Sequence, residues 1–449
     1  MNNIKKLRLT VFFLFLSAFA TAQRTPNIII ILADDMGYGD LGSFGHPTIR
    51  TPFLDQMAGE GMRFTQFYVG ANVCTPSRGA LLTGRLPIRY GLTGGTNVFF
   101  PYSVGGLPQT EITIATALKT KGYHTALVGK WHLGHLPQFM PNSHGFDYYF
   151  GLPYSNDMSQ QVNKQNPPLP LYRNREVIEL EPDQSVLTQR YTDEAVNFIK
   201  TNKDKPFFLY YANNFPHIPL HASPKFKNKS KRGLYGDVVE ELDWSVGQIL
   251  KTLKDLKIDK NTLVIFTSDN GPWLPKKEQG GAAGLLYEGK GSSYEGGMRE
   301  PAIAWWPGTI KAKQVNTALA TTMDLFPTIM NMVKVPMPAG KIFDGVDIMP
   351  LFTGKSEKVR DVVYYYHRNT LHAIRIGQWK AHFITQPSYS AEPAVSHDPP
   401  LLYNIEHDPS EKYNVNKQHP EVLEQMKKEF DKHKAGVIPV PTQLKPKNN

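Results

Sequence analysis

Short apolar runs that stop abruptly at polar clusters dominate the pattern of this chain. Asn27-Ile28-Ile29-Ile30-Ile31-Leu32-Ala33 is apolar at almost every position and ends at Asp34-Asp35. A strand with one face in water alternates, whereas a strand covered on both faces does not, so this run predicts a buried parallel strand. Leu263–Thr267 repeats the pattern and ends at Ser268-Asp269-Asn270-Gly271. Thr125–Val128 runs into Gly129-Lys130-Trp131-His132, and Phe207–Tyr211 leads to Asn213-Asn214-Phe215-Pro216-His217.

Between these runs apolar residues recur at helical spacing over Glu111–Lys121, with Thr110 as the expected N-cap, and over Leu187–Lys200 and Tyr235–Leu256. Alternation of strand and helix argues an α/β fold with a mainly parallel central sheet flanked by helices. In such sheets the site lies beyond the carboxyl ends of the strands, where all four polar clusters fall. After Lys355 the character changes. Asp361–His367 and Ala373–Phe383 read as strands, the second broken by a turn at Gly377-Gln378, and Pro420–Lys434 reads as a helix. The expected organisation is a leader over 1–22, a large domain over 23–355 and a small C-terminal α+β subdomain with an antiparallel sheet over 356–449. Residues 153–183 are polar and Pro-rich without periodicity, and are expected to form part of a site's rim. The tail from Pro439 to Asn449 is expected to be loose.

Composition changes this picture little. Of the 449 residues 41% are hydrophobic and 20% charged, as in ordinary soluble domains. The formal charge is +10, and Lys5, Lys6 and Arg8 supply part of it. They precede an apolar stretch, Leu9–Phe19, and the small-residue run Ala20-Thr21-Ala22, which together read as a secretory signal cleaved near Gln23. The protein is therefore expected in the periplasm or secreted. The apolar stretch is short for a span and no cysteine marks a lipidation site, so no membrane anchor is expected. No dense Lys/Arg helix or aromatic–basic interleaving is present, which argues against nucleic acid and for a polyanionic substrate. A single cysteine cannot form an internal disulfide, so the fold must rest on its core.

That cysteine, Cys74, opens the run Cys74-Thr75-Pro76-Ser77-Arg78-Gly79-Ala80-Leu81-Leu82-Thr83-Gly84-Arg85. A lone cysteine is ordinarily a small buried hydrophobe. Here Pro76 suits a first helical turn and Gly84 a C-cap, which puts Cys74 at a helix N-terminus, where an anion is favoured. Arg78 and Arg85 follow as expected partners for a charged oxyanion. Asp34, Asp35, Asp269 and Asn270 form an all-oxygen donor set suited to a hard cation, Ca²⁺ or Mg²⁺, and no His/Cys cluster at zinc spacing accompanies them. Each pair alone would read as turn chemistry.

The Cys74–Arg85 run resembles the signature of the type I, formylglycine-dependent sulfatases. The resemblance extends over nearly the whole mature chain, through Gly129-Lys130-Trp131-His132, Pro216-His217-Ile218-Pro219, and Gly289-Lys290-Gly291 before Tyr294-Glu295-Gly296-Gly297. Gly151-Leu152-Pro153-Tyr154-Ser155 resembles the segment that lends a serine to the pocket, and Leu86–Gly91 points to the arylsulfatase A and N-acetylgalactosamine-6-sulfatase branch. The resemblance implies an alkaline-phosphatase-like large domain and one divalent cation per chain, calcium rather than magnesium, held by Asp34, Asp35, residue 74, Asp269 and Asn270. It implies that Cys74 is converted to formylglycine (3-oxoalanine) by a formylglycine-generating or anaerobic sulfatase-maturing enzyme. The aldehyde would hydrate to a geminal diol, one hydroxyl of which attacks sulfur. Arg78 would steady the diol and the metal site, while Lys130 and Lys290 hold the sulfonate oxygens. His217 and Lys290 are the candidate acids for the leaving alcohol. His132 would take the proton that releases sulfate and restores the aldehyde. Ser155 would join Lys130, His217 and Lys290 as a substrate contact. Glu295 and Arg299 are expected to shape their loop, and His46, His135, His144 and His221 carry no assignment.

Export, charge and branch together suggest a sulfated carbohydrate substrate, such as a galactan or glycosaminoglycan oligosaccharide. Two alternatives stand beside this reading. A formylglycine-dependent phosphonate monoester or phosphodiester hydrolase would share the pocket chemistry, but dianionic phosphate favours more positive charge or a second metal. A non-catalytic sulfated-glycan binder would be expected to lack Cys74 or His132.

Overall fold

The computed structural model describes residues 25–390 and 392–445. The expected export signal lies outside the described residues, as does the end of the tail. Among the described residues, no helix is long and apolar enough to cross a membrane.

The apolar runs become strands of one sheet. Its members are β1 (Asn27–Ala33), β2 (Met62–Tyr68), β3 (His124–Gly129), β4 (Tyr148–Gly151), β5 (Pro170–Arg173), β6 (Glu176–Leu180), β7 (Phe207–Ala212), β8 (Thr262–Ser268), β9 (Arg299–Trp305), β10 (Gln314–Asn316) and β11 (Ala320–Thr321). Their order is β10-β2-β9-β8-β1-β7-β3-β4-β5-β6, with β11 also paired to β2. The central strands β8-β1-β7-β3-β4 are parallel, and antiparallel pairing enters at β9 on one side and at β5 and β6 on the other.

The unbroken apolar run of β1 has the reason its pattern implied. Ile28, Ile30 and Leu32 enter the core on one face of the sheet, and Ile29, Ile31 and Ala33 enter the core on the other. Helices α1 (Pro52–Glu60), α2 (Cys74–Thr83), α3 (Ile114–Lys119), α4 (Leu187–Asn202) and α5 (Leu234–Asp255) supply much of the cover. Leu54, Leu187, Tyr191 and Leu242 of α1, α4 and α5 pack on one face, and Leu81, Leu82, Ile114 and Leu118 of α2 and α3 on the other. This is the expected fold class.

Two local expectations are corrected, and one aperiodic region gains a hairpin. Thr113, not Thr110, caps α3. Its Oγ1 accepts from the Thr116 amide at 3.0 Å and donates to the His144 carbonyl at 2.7 Å, so the helix starts where that hydroxyl is anchored. Within 153–183 the chain forms the β5–β6 hairpin. Its outer strand is exposed on both faces, which removes the alternation by which a strand is recognised. The tail is not loose as far as it is described. Val440 N donates to Ile88 O at 3.1 Å, Gln443 N to Gly91 O at 2.8 Å, and Leu444 is fully buried in the large core.

A second, antiparallel sheet holds β12 (Val362–His367), β13 (Thr370–Ile376), β14 (Trp379–Thr385) and β15 (Val395–Asn404), with the helix Pro420–Gly436 packed on it through Met426 and Phe430. Glu295 ties this sheet to the large one. Its buried carboxylate accepts from Tyr68 at 2.6 Å, Tyr365 at 2.7 Å and Lys380 at 3.0 Å. Burial opposes its charge, but Lys380, Arg375 and Arg299 outweigh that and hold the carboxyl well below the usual range. The loop-shaping part expected of Glu295 and Arg299 thus extends to joining the two sheets.

Candidate active site

The parallel register of β1 and β8 pairs Ala33 with Ser268, so Asp34-Asp35 and Asp269-Asn270 leave neighbouring strand ends side by side. Asp35 adopts a φ of 62°, the left-handed region that a non-glycine residue enters at a cost of order 1 kcal/mol. Its amide donates to Asp269 Oδ1 at 3.2 Å. The end of β3 delivers Lys130 through Gly129, whose φ is 113°. A Cβ there would lie 2.0 Å from Ala212 O, the atom that accepts from the Lys130 amide at 2.7 Å. Only glycine fits that approach.

Cys74 stands in the first turn of α2, buried, with Sγ 3.6 Å from Asp34 Oδ1 and 4.0 Å from Asp35 Oδ1. Burial pushes its thiol well above the ordinary range, so the unmodified side chain is a protonated, weak nucleophile. One turn on, Arg78 is wholly buried. Its guanidinium meets Asp269 at 2.8 Å and Asp34 at 3.3 Å, and donates to the Lys130 carbonyl at 3.0 Å. Lys130 Nζ lies 2.5 Å from Asp34 and donates to Ser155 Oγ at 3.2 Å. Lys290 Nζ lies 2.8 Å from Asp35. Three buried carboxylates and three buried cations therefore converge on Cys74. Burial opposes the charge on Asp34, but Lys130 and Arg78 outweigh it and hold its carboxyl far below the usual range. Burial and the neighbouring Asp34 push Asp269 the other way, up to about 6. Burial also opposes the charge on Lys290, but Asp35 outweighs it and keeps the ammonium protonated.

The two histidines are neutral for the same first reason, burial, reinforced by the cations beside them. His132 Nε2 lies 2.9 Å from the Phe99 carbonyl and must donate to it, which leaves Nδ1 as an acceptor. That Nδ1 is buried and has no partner among the described residues. His132 also has a φ of 61°, and its carbonyl accepts from Thr75 Oγ1 at 2.8 Å, which fixes it to the start of α2. His217 Nδ1 donates to the Ile218 carbonyl at 2.5 Å, so Nε2, 3.5 Å from Asp35, is the atom that faces the site. Ser155 Oγ lies 3.4 Å from His217 Nδ1.

The donor set fits a hard divalent cation. Asn270 donates through Nδ2 to Asp35 at 2.7 Å, while its buried Oδ1 has no hydrogen-bond partner among the described residues. Donor atoms of Asp34, Asp35, Cys74 and His217 lie within 4.8 Å of one another. His217, expected only on the substrate, is thus also within reach of that cluster.

Arg85, expected near the oxyanion, is elsewhere: it binds Glu111 at 2.6 Å and donates to the Ile342 carbonyl at 2.8 Å. It follows Arg78 by seven residues, and α2 has ended at Gly84 before it. His46 is a turn residue whose Nδ1 accepts from the amides of Thr48 and Ile49. His144 packs on Trp131. Sequence reasoning missed two rings at the mouth of the site. Trp273 lies 5.4 Å from His217 and carries Lys290 Nζ 4.4 Å from its ring centre, and Tyr389 lies 5.3 Å from Trp273. Trp273 could have been found, since it follows Asp269-Asn270-Gly271-Pro272 directly. Tyr389 comes from the other sheet's connections, and no local signal marks it.

The family model for sulfatases matches residues 26–335, and that for the C-terminal region of aryl-sulfatase matches 358–449. The chain is 41% identical to N-acetylgalactosamine-6-sulfatase of Canis lupus familiaris over 465 aligned residues, covering 95% of this chain and 89% of that one. It is 43% identical to arylsulfatase A of Homo sapiens, covering 92% and 89%. Among solved structures, the PsFucS1 sulfatase from Pseudoalteromonas sp. superposes with a TM-score of 0.84 at 32% identity, covering 93% of this chain and 91% of that chain. The chain belongs to the sulfatase family. It is an enzyme of that class, a sulfuric ester hydrolase.

Proposed function

We propose that the protein hydrolyses sulfate esters on a carbohydrate, using residue 74 as formylglycine together with one divalent cation, calcium in preference to magnesium. The observation that carries this reading is the convergence of three buried carboxylates and three buried cations on a buried cysteine whose thiol is held protonated. Asp34, Asp35, Asp269, Asn270 Oδ1 and residue 74 would hold the cation, with His217 Nε2 in reach. The cation supplies charge that favours ionisation of an oxygen nucleophile, and the hydrated aldehyde supplies that oxygen.

The chain's own groups do the rest. Lys130 and Lys290 exchange part of their pairing with Asp34 and Asp35 for the sulfonate oxygens of the substrate. Three negative and three positive side chains leave the site near neutrality, so a divalent cation makes it positive and favours the entry of a monoanionic ester. Arg78, bound to both Asp34 and Asp269, keeps the strand-end carboxylates from turning. Lys290, whose ammonium stays protonated, holds a proton for the leaving oxygen; His217, neutral with its one proton on Nδ1 committed to the Ile218 carbonyl, is the second candidate and serves as an acid only after Nε2 has taken up a proton. His132 Nδ1, a buried lone pair kept neutral, accepts the proton in the step that frees sulfate. Ser155 positions Lys130 and His217 and is a candidate contact to the ester.

Similarity to N-acetylgalactosamine-6-sulfatase supports a sulfated hexosamine or galactan-type saccharide as substrate. We read the protein as exported, to the periplasm or medium, and Cys74 as the target of a formylglycine-generating or anaerobic sulfatase-maturing enzyme. The test is sulfate release from sulfated galactan and glycosaminoglycan oligosaccharides by protein whose residue-74 peptide mass demonstrates conversion. Release from one linkage, lost in Cys74→Ala and lost on chelation until calcium is restored, is expected. Silence across the panel from fully converted protein, with turnover of phosphonate monoesters or phosphodiesters instead, would overturn it.

A further inference from the structure

A cleft of about 730 Å³, counting its open mouth, adjoins the catalytic pocket between the two sheets. Its floor includes Asn72 and Val73, immediately ahead of Cys74, and Gly291, immediately after Lys290. Its far wall comes from the C-terminal sheet: His367 and Arg368 at the β12–β13 turn, and Gln386 and Tyr389 after β14. The wall is fastened to the catalytic strand ends, because Ser388 Oγ donates to the Lys290 carbonyl. Tyr389 leans over Gly291, where a Cβ would come within 3.0 Å of its ring, and is 49% exposed. Trp273, half-buried, continues the aromatic surface down to Lys290 and His217.

The charge of this cleft is one-sided. No carboxylate lines it among the described residues, and Arg368 is its one permanent charge. Arg360 and Arg375 nearby in sequence are ion-paired to Asp324 and Glu295, whereas Arg368 is exposed with no acidic partner among the described residues. Its backbone has a φ of 54° at a tight hairpin turn, a position that glycine or asparagine fills more readily.

We propose that this cleft is a subsite for a saccharide carrying a second anionic group: the sugar ring lies on Tyr389 and Trp273 while Arg368 pairs with a carboxylate or further sulfate beside the ester being cleaved. An apolar sugar face against aromatic rings, with a few convergent polar groups, is the ordinary chemistry of such sites. A guanidinium fork suits carboxylate and sulfate alike. The inference rests on the carbohydrate reading above.

The test uses converted enzyme with calcium and matched pairs of sulfated saccharides from the galactan and glycosaminoglycan series. Each pair shares the cleaved ester, and one member bears an additional uronate carboxylate or sulfate. Wild type should show a kcat/KM about tenfold higher for the doubly charged member, and Arg368→Ala should bring that ratio close to unity. Arg368→Lys should retain part of the preference. Tyr389→Ala should raise KM about tenfold for both members, and Tyr389→Phe should not. A wild-type ratio near unity, or a ratio unmoved by Arg368→Ala in a variant that melts like wild type, overturns the subsite. Absence of sulfate release from every saccharide, charged once or twice, removes instead the carbohydrate reading on which it stands.

Discussion

Arg78→Ala removes the cation on which two buried carboxylates depend. The guanidinium meets Asp269 at 2.8 Å and Asp34 at 3.3 Å, and none of the three side chains reaches solvent. Breaking a buried pair costs roughly 3–5 kcal/mol, because the surviving charge stays desolvated. Unfolding entropy runs at about 2 cal/mol/K per residue, so in a chain of 449 residues a loss of about 4 kcal/mol lowers Tm by only about 4 °C. The pH dependence is the sharper measure. Burial and Asp34 already raise Asp269 from 3.8 to about 6, and loss of Arg78 raises it further. A carboxyl whose folded pKa exceeds its unfolded value contributes stability at low pH that is lost as pH rises through the folded pKa. The deficit of the variant against wild type should therefore be small near pH 5 and grow between about pH 6 and 8. Thermal unfolding in chelator across that range reads this directly, and sulfate release at neutral pH should fall by about a hundredfold or more. A deficit that is constant with pH, or that grows toward acid, would refute the reasoning.

Glu295→Gln should cost about 3–5 kcal/mol, since Arg375 stays buried without its counter-charge and Lys380 keeps only Glu411. Removing Lys119 from its exposed pair with Asp147 should change less than about 1 kcal/mol, and paired melting curves separate the two. Leu444→Ala should destabilise by about 2–4 kcal/mol, measured as a shift in denaturant midpoint, because a fully buried side chain leaves a cavity in the large core. Burial lowers His144 from 6.5 to about 4, so the stability it contributes is complete above pH 6.5 and lost as pH falls toward 4. His144→Gln should flatten that acid limb, and urea midpoints at neutral pH and near pH 5 provide the check.

The strand ends were legible because a strand buried on both faces has a pattern that a half-exposed one lacks. Ile28–Leu32 and Leu263–Phe266 announce both the strand and the place where it must stop. The meeting of Asp34-Asp35 with Asp269-Asn270 then follows from parallel pairing, although they lie 235 residues apart. Elements without a pattern were not legible. β6 is solvated on both faces, and Leu444 is a single apolar residue in a polar tail that still finds the core. Thr110 and Thr113 are chemically equal caps in the sequence, and only the His144 carbonyl, which accepts from Thr113 Oγ1 across from a distant turn, decides between them. Tyr389 reaches the mouth of the site because the second sheet docks through Glu295, a contact between segments far apart in the chain.

The ladder between β1 and β8 has a consequence for how this chain can vary. Asp34 and Asp35 face different partners, the first Arg78 and Lys130, the second Lys290 and Asn270. Successive residues of a strand point to opposite sides, so one residue added or deleted within Asn27–Ala33 would turn the strand's side chains to the wrong core and carry Asp34 and Asp35 away from those partners, while leaving hydrophobic content almost unchanged. The loops that line the mouth are under no such rule, since their length does not set the phase of any strand. Insertions and deletions should accordingly be tolerated in exposed connections such as residues 161–165 and excluded from two seven-residue windows, Asn27–Ala33 and Thr262–Ser268. A scan of single-codon insertions would draw that map as a pair of silent gaps.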